Sequence, residues 1–332
     1  MSATAAWALE GALHLAVASW QAAAVAAVAL AFARLAPRAP ASLRAGLLAI
    51  AAIKFCIPPM LPLPTGIFSR AAALPAGFPP ASIEKGLTVV CEILVLAHLA
   101  GWAIHAALLI AEHRRLRAWR GRAERITAGP VADIARDACR RAGLARLPEI
   151  LVSPETGVPC AFGVRRPAIC LPSRLAEAMS REHLSLVLLH EALHLRRRDP
   201  RANLFDAALA SFWWFHPGAR LLASARRRSR EERCDRDVLR ARPGTAAPYA
   251  RALVAAAAFA ARRPARRLST AVADDPEHLA RRIRALVRMG GSRPRRVLPA
   301  AVVAAAALVF LPGVRPEGGK PLHVPSAGSV RP

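Results

Sequence analysis

The sequence predicts a mainly α membrane protein, with four transmembrane helices and a cytoplasmic α+β domain that carries a small β-sheet. Three observations lead there. Apolar residues make up 54% of the 332 residues and are bunched into long runs, where a water-soluble chain disperses them. Arginine clusters flank those runs on one side of the expected membrane. Between the third and fourth runs lies a long segment of ordinary globular pattern.

Residues 11–33 and 86–111 are each long enough, at about 1.5 Å per residue, to cross a hydrocarbon core about 30 Å thick. Residues 43–61 form a run interrupted by Lys54 and a proline pair, and residues 297–313 a run near the lower length limit. The start, "MSATAAWALE", has no basic stretch of the kind that opens a signal peptide, so the first run reads as an anchor. Arg34, Arg38 and Arg44, then "EHRRLRAWRGRAER" and "SRPRR", belong on the cytoplasmic side by the positive-inside rule. The N-terminus, the 62–85 loop with only Arg70 and Lys85 as bases, and the tail after residue 313 then lie outside. The expected organisation is a membrane region at 1–113 with three spans, a cytoplasmic domain at 114–295, and a fourth span with a short tail at 296–332. Such a chain is a multi-pass protein of the inner or plasma membrane.

The net charge of +26 raises the question of nucleic acid. The bases flank spans and suit an anionic inner leaflet, and aromatic residues, at 5%, are too sparse for the stacking that single strands require. Membrane lipids are therefore the expected partner, and no direct contact with nucleic acid is expected. Cys56, Cys91, Cys139, Cys160, Cys170 and Cys234 show no CxxC pairing, and three or four fall on the reducing side, so structural disulfides are not expected.

Along the cytoplasmic part, residues 112–125 read as a basic helix and "PVADIARDACRRA" (130–142) as a helix closed by Gly143. "PEILVS" and "GVRRPAICLPS" are short apolar or β-branched runs bounded by glycine and proline, which makes them strands. "SREHLSLVLLHEALHLRRR" opens at Ser180, an N-cap residue, and continues with apolar residues at helical spacing. The run from Leu204 to Phe215 is apolar, contains Asp206 and is too short to span; core and membrane-interfacial readings both remain open. Helices follow at about 218–240, 247–261 and 276–289, the last basic and amphipathic.

The helix from Ser180 carries the chemistry. In "HEALH", His190 and His194 are four apart and share a face, so both imidazoles can reach one metal ion at about 2.0–2.1 Å. Glu191 stands beside the first ligand, where it can take a proton from water that zinc makes acidic. A catalytic zinc needs a third protein ligand. Glu231 in "EERCD" is the best candidate, because the interval from His194 allows one helix to leave and a second to return. Glu232 is the adjacent rival but points about 100° away around the helix. Asp235, one turn beyond Glu231, can bond the free nitrogen of a ligand histidine, and Asp199 is a weaker candidate for that role. The alternative is an amphipathic helix with polar residues facing solvent. Against it, "LSLVLL" buries the helix, and a carboxylate beside two imidazoles in apolar surroundings is costly unless it is paired or binds metal.

These motifs, with "ILVSPETGVPCAFGVRRPAICLPSRL", "LLHEALHLRRRD", "WWFHP" and "EERCDRDVL" in that order, resemble the BlaR/MecR family of membrane-bound zinc metallopeptidases. The resemblance implies a zincin-like, gluzincin-type metallopeptidase domain with His190, His194 and Glu231 on Zn2+ and Glu191 as general base. It also implies a protein substrate: a cytoplasmic regulator such as a winged-helix repressor, or the chain itself, cut when a signal arrives. Sensor-type members carry a penicillin-binding domain after the last span, which is expected to be missing here. The resemblance places "PAICLP" beside the motif helix. If that strand is an exposed edge, Ala168, Ile169, Cys170 and Leu171 can bind substrate as an added strand; an ordinary core strand is equally compatible with the sequence.

Other polar groups have simpler readings. Lys54 and Glu92 are expected to pair within the spans. His98 and His105 are expected to be packed interior histidines. His216 in "WWFHP" reads as structural, and Cys234 as a buried inert thiol. The helix "HLARRIRALVR" reads as a basic face on the inner leaflet. The rival enzyme class is a Ste/HtpX-type membrane quality-control protease, and the rival of another kind is a non-catalytic receptor or scaffold.

Overall fold

The structure, a computed structural model, describes residues 3–37, 39–57, 81–261, 276–289 and 299–310. Helix α1 spans Ala3–Leu35, α2 Ala41–Lys54 and α3 Ala81–Arg122. Among the described residues two helices are long and apolar enough to cross a membrane, over Gly11–Leu35 in α1 and Thr88–Arg122 in α3. The basic stretch expected to form its own helix at 112–125 is instead the continuation of α3. "EHRRLRAWRGR" is rich in good helix formers and has no proline, so nothing stops the helix before Arg122.

The two shorter apolar runs become α2, with 14 residues, and α11 (Pro299–Phe310), with 12. As described, neither reaches the roughly 20 residues that a core about 30 Å thick requires. Residues 58–61, 297–298 and 311–313, which complete those expected spans, lie outside the described residues, as do residues 62–80 of the outer loop, "SRPRR" and the tail. Helices α2 and α11 approach closely, since a Cβ on Gly46 would overlap Val303. Lys54 is buried at the end of α2.

After α3 the chain forms β1 (Glu124–Arg125), α4 (Pro130–Ala142), β2 (Glu149–Ser153), β3 (Cys160–Phe162) and β4 (Ala168–Pro172). Gly143 caps α4 in the left-handed region at φ 74°, as its position predicts. The sheet has the order β1-β2-β4-β3, with β2 and β4 parallel and both outer strands antiparallel to their neighbours. This order corrects the edge reading of "PAICLP". Strand β4 lies between β2 and β3, and Ala168, Ile169, Cys170 and Leu171 are all fully buried. The edge next to β4 is β3, which folds back on β4 through a tight turn at Gly163. There φ is +91° and a Cβ would overlap the Arg166 carbonyl oxygen, so only glycine fits.

Then come α5 (Ser173–Ala178), α6 (Arg181–Arg196), α7 (Asp199–Phe212), α8 (Pro217–Ala241), α9 (Ala246–Ala261) and α10 (Pro276–Met289). Ser180 caps α6 by accepting the His183 amide at 3.3 Å. Leu186, Leu188, Leu189 and Leu193 of α6 join Ile134 of α4, Ile169 of β4 and Leu253 of α9 in one core. A second apolar cluster joins Ala22, Val25 and Ala26 of α1 and Leu48 of α2 to Leu209, Ala219 and Leu222 of α7 and α8.

Candidate active site

Helix α6 is buried on nearly every face, so its two histidines are held by the core rather than by solvent. His190 Nε2 and His194 Nε2 stand 3.1 Å apart. Glu231, delivered by the returning α8, puts a carboxylate oxygen 3.2 Å from His190 Nε2 and another 3.6 Å from His194 Nε2. The three ligand atoms lie within 4.8 Å of one another. The structure thus brings together His190, His194 and Glu231. Glu232, the rival, turns away to pair with Arg44 of α2 at 2.7 Å.

The far nitrogens of the imidazoles are tied down. His194 Nδ1 lies 2.7 Å from Asp199 Oδ2, which makes Asp199, the weaker candidate in sequence, the direct partner of a ligand histidine. Helix α7 starts one short turn after α6, with Arg198 in the left-handed region at φ 59°, and this doubling back aims Asp199 at His194. On the other histidine, Asp235 Oδ1 stands 3.5 Å from His190 Nδ1, and the hydroxyl of Tyr249 on α9 bridges them. The hydroxyl donates to Asp235 at 2.6 Å, which spends its proton. It can then only accept from His190 Nδ1, 2.8 Å away. These partners hold a proton on each Nδ1 and turn each Nε2, the nitrogen that a cation would take, towards the centre.

Two imidazole nitrogens and a carboxylate facing one another favour positive charge between them. Burial pushes the Glu231 carboxyl upward, but His194 and His190, then Arg282, hold it well below the ordinary carboxylate range. For His194 burial works downward and is outweighed by Cys234, Glu231 and Asp199, which leave the imidazole well above its usual value. A neutral-nitrogen, carboxylate donor set of this kind fits a zinc-like divalent cation. Cys234 Sγ lies 3.3 Å from His194 Nδ1 and 3.6 Å from Asp199. Burial pushes its thiol up to about 11, and the sulfur packs against the edge of the imidazole.

Arg282 of α10 completes the cluster. It forms a two-point bond to Asp235, at 2.9 and 2.8 Å, and lies 3.4 Å from Glu231 Oε2. The sequence reading of α10 as a leaflet-facing basic helix is therefore incomplete, because Arg282 is 6% exposed and points into the site. Tyr249 and Arg282 were missed in sequence. Tyr249 is the single tyrosine of the chain, which is a faint signal; Arg282 is one arginine among many.

Glu191 is buried on α6, and its charge, after burial and Cys170, adds to the upward shift of the Cys160 thiol on β3. Of the remaining residues, His98 packs edge-on against Phe212 and Phe215, and His105 stacks on Trp214. His216 lies against Phe55 and Trp213, away from the ligand cluster, in keeping with a structural role.

A His-Glu-x-x-His helix joined by a glutamate from a second helix, on a mostly helical chain with a small mixed sheet and two membrane-length helices, is an arrangement that could hold a metal ion, as in metallopeptidase-type sites. The chain belongs to the BlaR1 peptidase M56 family, whose profile matches residues 79–286. It is 36% identical over 88 residues to "Regulatory protein BlaR1" of Bacillus licheniformis, a stretch covering 26% of this chain and 14% of that protein. It is 28% identical over 82 residues to "Methicillin resistance mecR1 protein" of Staphylococcus aureus, covering 25% of this chain and 14% of the relative. The matched stretches are thus a small part of both relatives.

Proposed function

We propose that this chain is an integral membrane zinc endopeptidase that cuts a regulatory protein, or itself, on the cytoplasmic side of the membrane. The observation that carries the reading is the convergence of His190, His194 and Glu231 beside Glu191 in a member of a peptidase family. The arginine clusters support a cytoplasmic peptidase domain at 114–295 and an N-terminus outside. The name of the Bacillus licheniformis relative supports a regulatory role, and a small repressor is the substrate class in keeping with it.

His190, His194 and Glu231 would hold the metal, and Asp199, Tyr249 and Asp235 keep the two imidazoles oriented. Bound there, zinc would supply a Lewis acid for the scissile carbonyl and acidify water. Glu191 takes the proton from the attacking water and returns it to the leaving amine. The edge strand β3, on the Glu191 side, takes over the role first given to β4: it can align a substrate backbone by main-chain hydrogen bonds.

Glu191→Gln tests the reading. The variant should keep its bound zinc, measured by elemental analysis of the purified protein, and lose proteolysis of trapped substrates by about 10²–10⁴-fold. Undiminished cleavage would remove Glu191 as the base. An unchanged cellular phenotype from the variant would favour a scaffold instead.

A further inference from the structure

Resting on the membrane reading above, we propose that α7 and the first half of α8 form a hairpin that dips into the bilayer from the peptidase side, its outer face covered by lipid hydrocarbon.

The tip of the hairpin, Trp213 to His216, is fastened to the interior of the apolar helices. Trp213 Nε1 donates to the Phe55 carbonyl at 3.0 Å, at the far end of α2. Trp214 Nε1 donates to the His98 carbonyl of α3 at 3.3 Å, well inside the Thr88–Arg122 span. Phe212 and Phe215 close on the His98 ring at 5.0 and 5.5 Å. Further along α8, Ala219, Leu222 and Ala225 share a cluster with Ala22, Val25, Ala26 and Ala29, the middle of the Gly11–Leu35 span. If α1 and α3 cross a bilayer, the tip lies within it.

The register with α2 agrees. Arg44 meets Glu232 at one end of the pair, and Phe55 meets His216 at the other, so α8 runs antiparallel along α2. Helix α7 has 14 residues, about 20 Å at 1.5 Å each, which reaches roughly two thirds of the way through a hydrocarbon core about 30 Å thick. The hairpin enters and returns; it does not cross.

Its surface chemistry matches a lipid environment. Phe205, Phe212, Phe215 and Leu221 stand 38–52% exposed and continue the exposed apolar face of α3, including Leu94, Leu99 and Trp102. From Asn203 to Ala225 the charged residues are Asp206 and Arg220. Asp206 is turned inward onto Arg226 and Arg230, at 2.7 and 2.9 Å. Arg220 folds back on the Trp214 carbonyl at 2.5 Å, satisfying a backbone acceptor that lipid cannot. The apolar stretch is bracketed by Arg196, Arg197, Arg198 and Arg201 on entering, and by Arg226, Arg227 and Arg228 on leaving. Such a collar suits anionic headgroups. Glu231 follows one turn later, so the ligand cluster sits at the membrane surface.

The test is photo-cross-linking of the full chain in vesicles of phosphatidylcholine and phosphatidylglycerol with radiolabelled acyl chains. Benzoylphenylalanine is introduced at Phe205, Phe215 or Leu221, at Leu94 on α3 as the lipid-facing reference, and at Glu177 on α5 as the aqueous reference. Variants are compared only where bound metal per chain is unchanged, with Leu204 and Phe212 as substitute positions. Labelled lipid adducts at Phe205, Phe215, Leu221 and Leu94, and none at Glu177, are expected. Adducts at Leu94 but not on the hairpin overturn the proposal while leaving the membrane reading standing; a cross-linked dimer in their place assigns the face to a second copy. No adduct even at Leu94 overturns the membrane reading and the hairpin with it.

Discussion

At the residue scale, the cluster of His190, His194 and Glu231 was legible because it needs only local geometry. The spacing of His190 and His194 puts two rings on one helical face, and Glu231 needs only a helix that returns. The groups that orient those ligands were harder to read. Asp199 was undervalued because its reach depends on Arg198 adopting a left-handed turn between α6 and α7. Tyr249 and Arg282 meet His190 across 59 and 92 residues of sequence, and no spacing rule connects them. Their roles lead to a prediction. Asp199→Ala and Tyr249→Phe should each weaken zinc binding by about 10–100-fold, read by competition with a chromophoric chelator, while the fold measured by circular dichroism is kept. Tyr249→Phe should have the milder effect, since Asp235 is already 3.5 Å from His190 Nδ1 and can take the proton directly. Equal affinities in wild type and both variants would mean that the imidazoles are oriented by packing alone.

At the element scale, the helices at 130–142, 218–240, 247–261 and 276–289 and the strands β2 and β4 all follow from periodicity and from glycine and proline punctuation. What periodicity cannot supply is order within the sheet. A run such as "PAICLP", apolar at nearly every position, fits a central strand better than an edge, and the pairing of β3 settles which it is. The short β1 and β3 escape detection because two or three residues carry no period. The same insensitivity hid the continuity of α3, whose composition changes from apolar to basic while its backbone does not change. The central place of β4 alters what its mutation does. Ile169→Pro removes a ladder hydrogen bond in the middle of a fully buried strand, where the sheet has no place for proline. It should therefore lose zinc and proteolysis together, where an edge strand would lose proteolysis alone. Gly163→Ala forces a side chain into a left-handed turn already filled by a carbonyl. It should lower the thermal midpoint and detach β3, so that cleavage falls more than zinc affinity does. A midpoint unchanged in Gly163→Ala would show that the turn can open without cost.

At the scale of the whole molecule, the membrane helices and the ligand cluster are one connected structure, and a single ion pair reports on the connection. Arg44, at the start of α2, holds Glu232 at 2.7 Å, and Glu232 is the neighbour of the metal-site Glu231. The pair is partly exposed, with side chains 14% and 35% accessible, so its own contribution to stability is small, about 0–1 kcal/mol after solvent screening. Its position matters more than its strength. Any shift of α2 along α8 pulls on the backbone that carries Glu231, and the apolar contacts of Leu48 and Phe55 with α8 leave α2 little freedom to move alone. Arg44→Glu sets two carboxylates against each other one residue from the ligand and should lower zinc affinity and thermal stability together. Arg44→Glu combined with Glu232→Arg restores the attraction in reverse and should recover both. The double-mutant coupling expected for groups in direct contact is about 0.5–3 kcal/mol. Reversal of Arg140 and Asp137, an exposed pair on α4 away from the ligands, serves as the control and should leave zinc affinity unchanged. If the Arg44 and Glu232 effects simply add, the membrane region and the metal site are coupled through the apolar contacts and not through this pair.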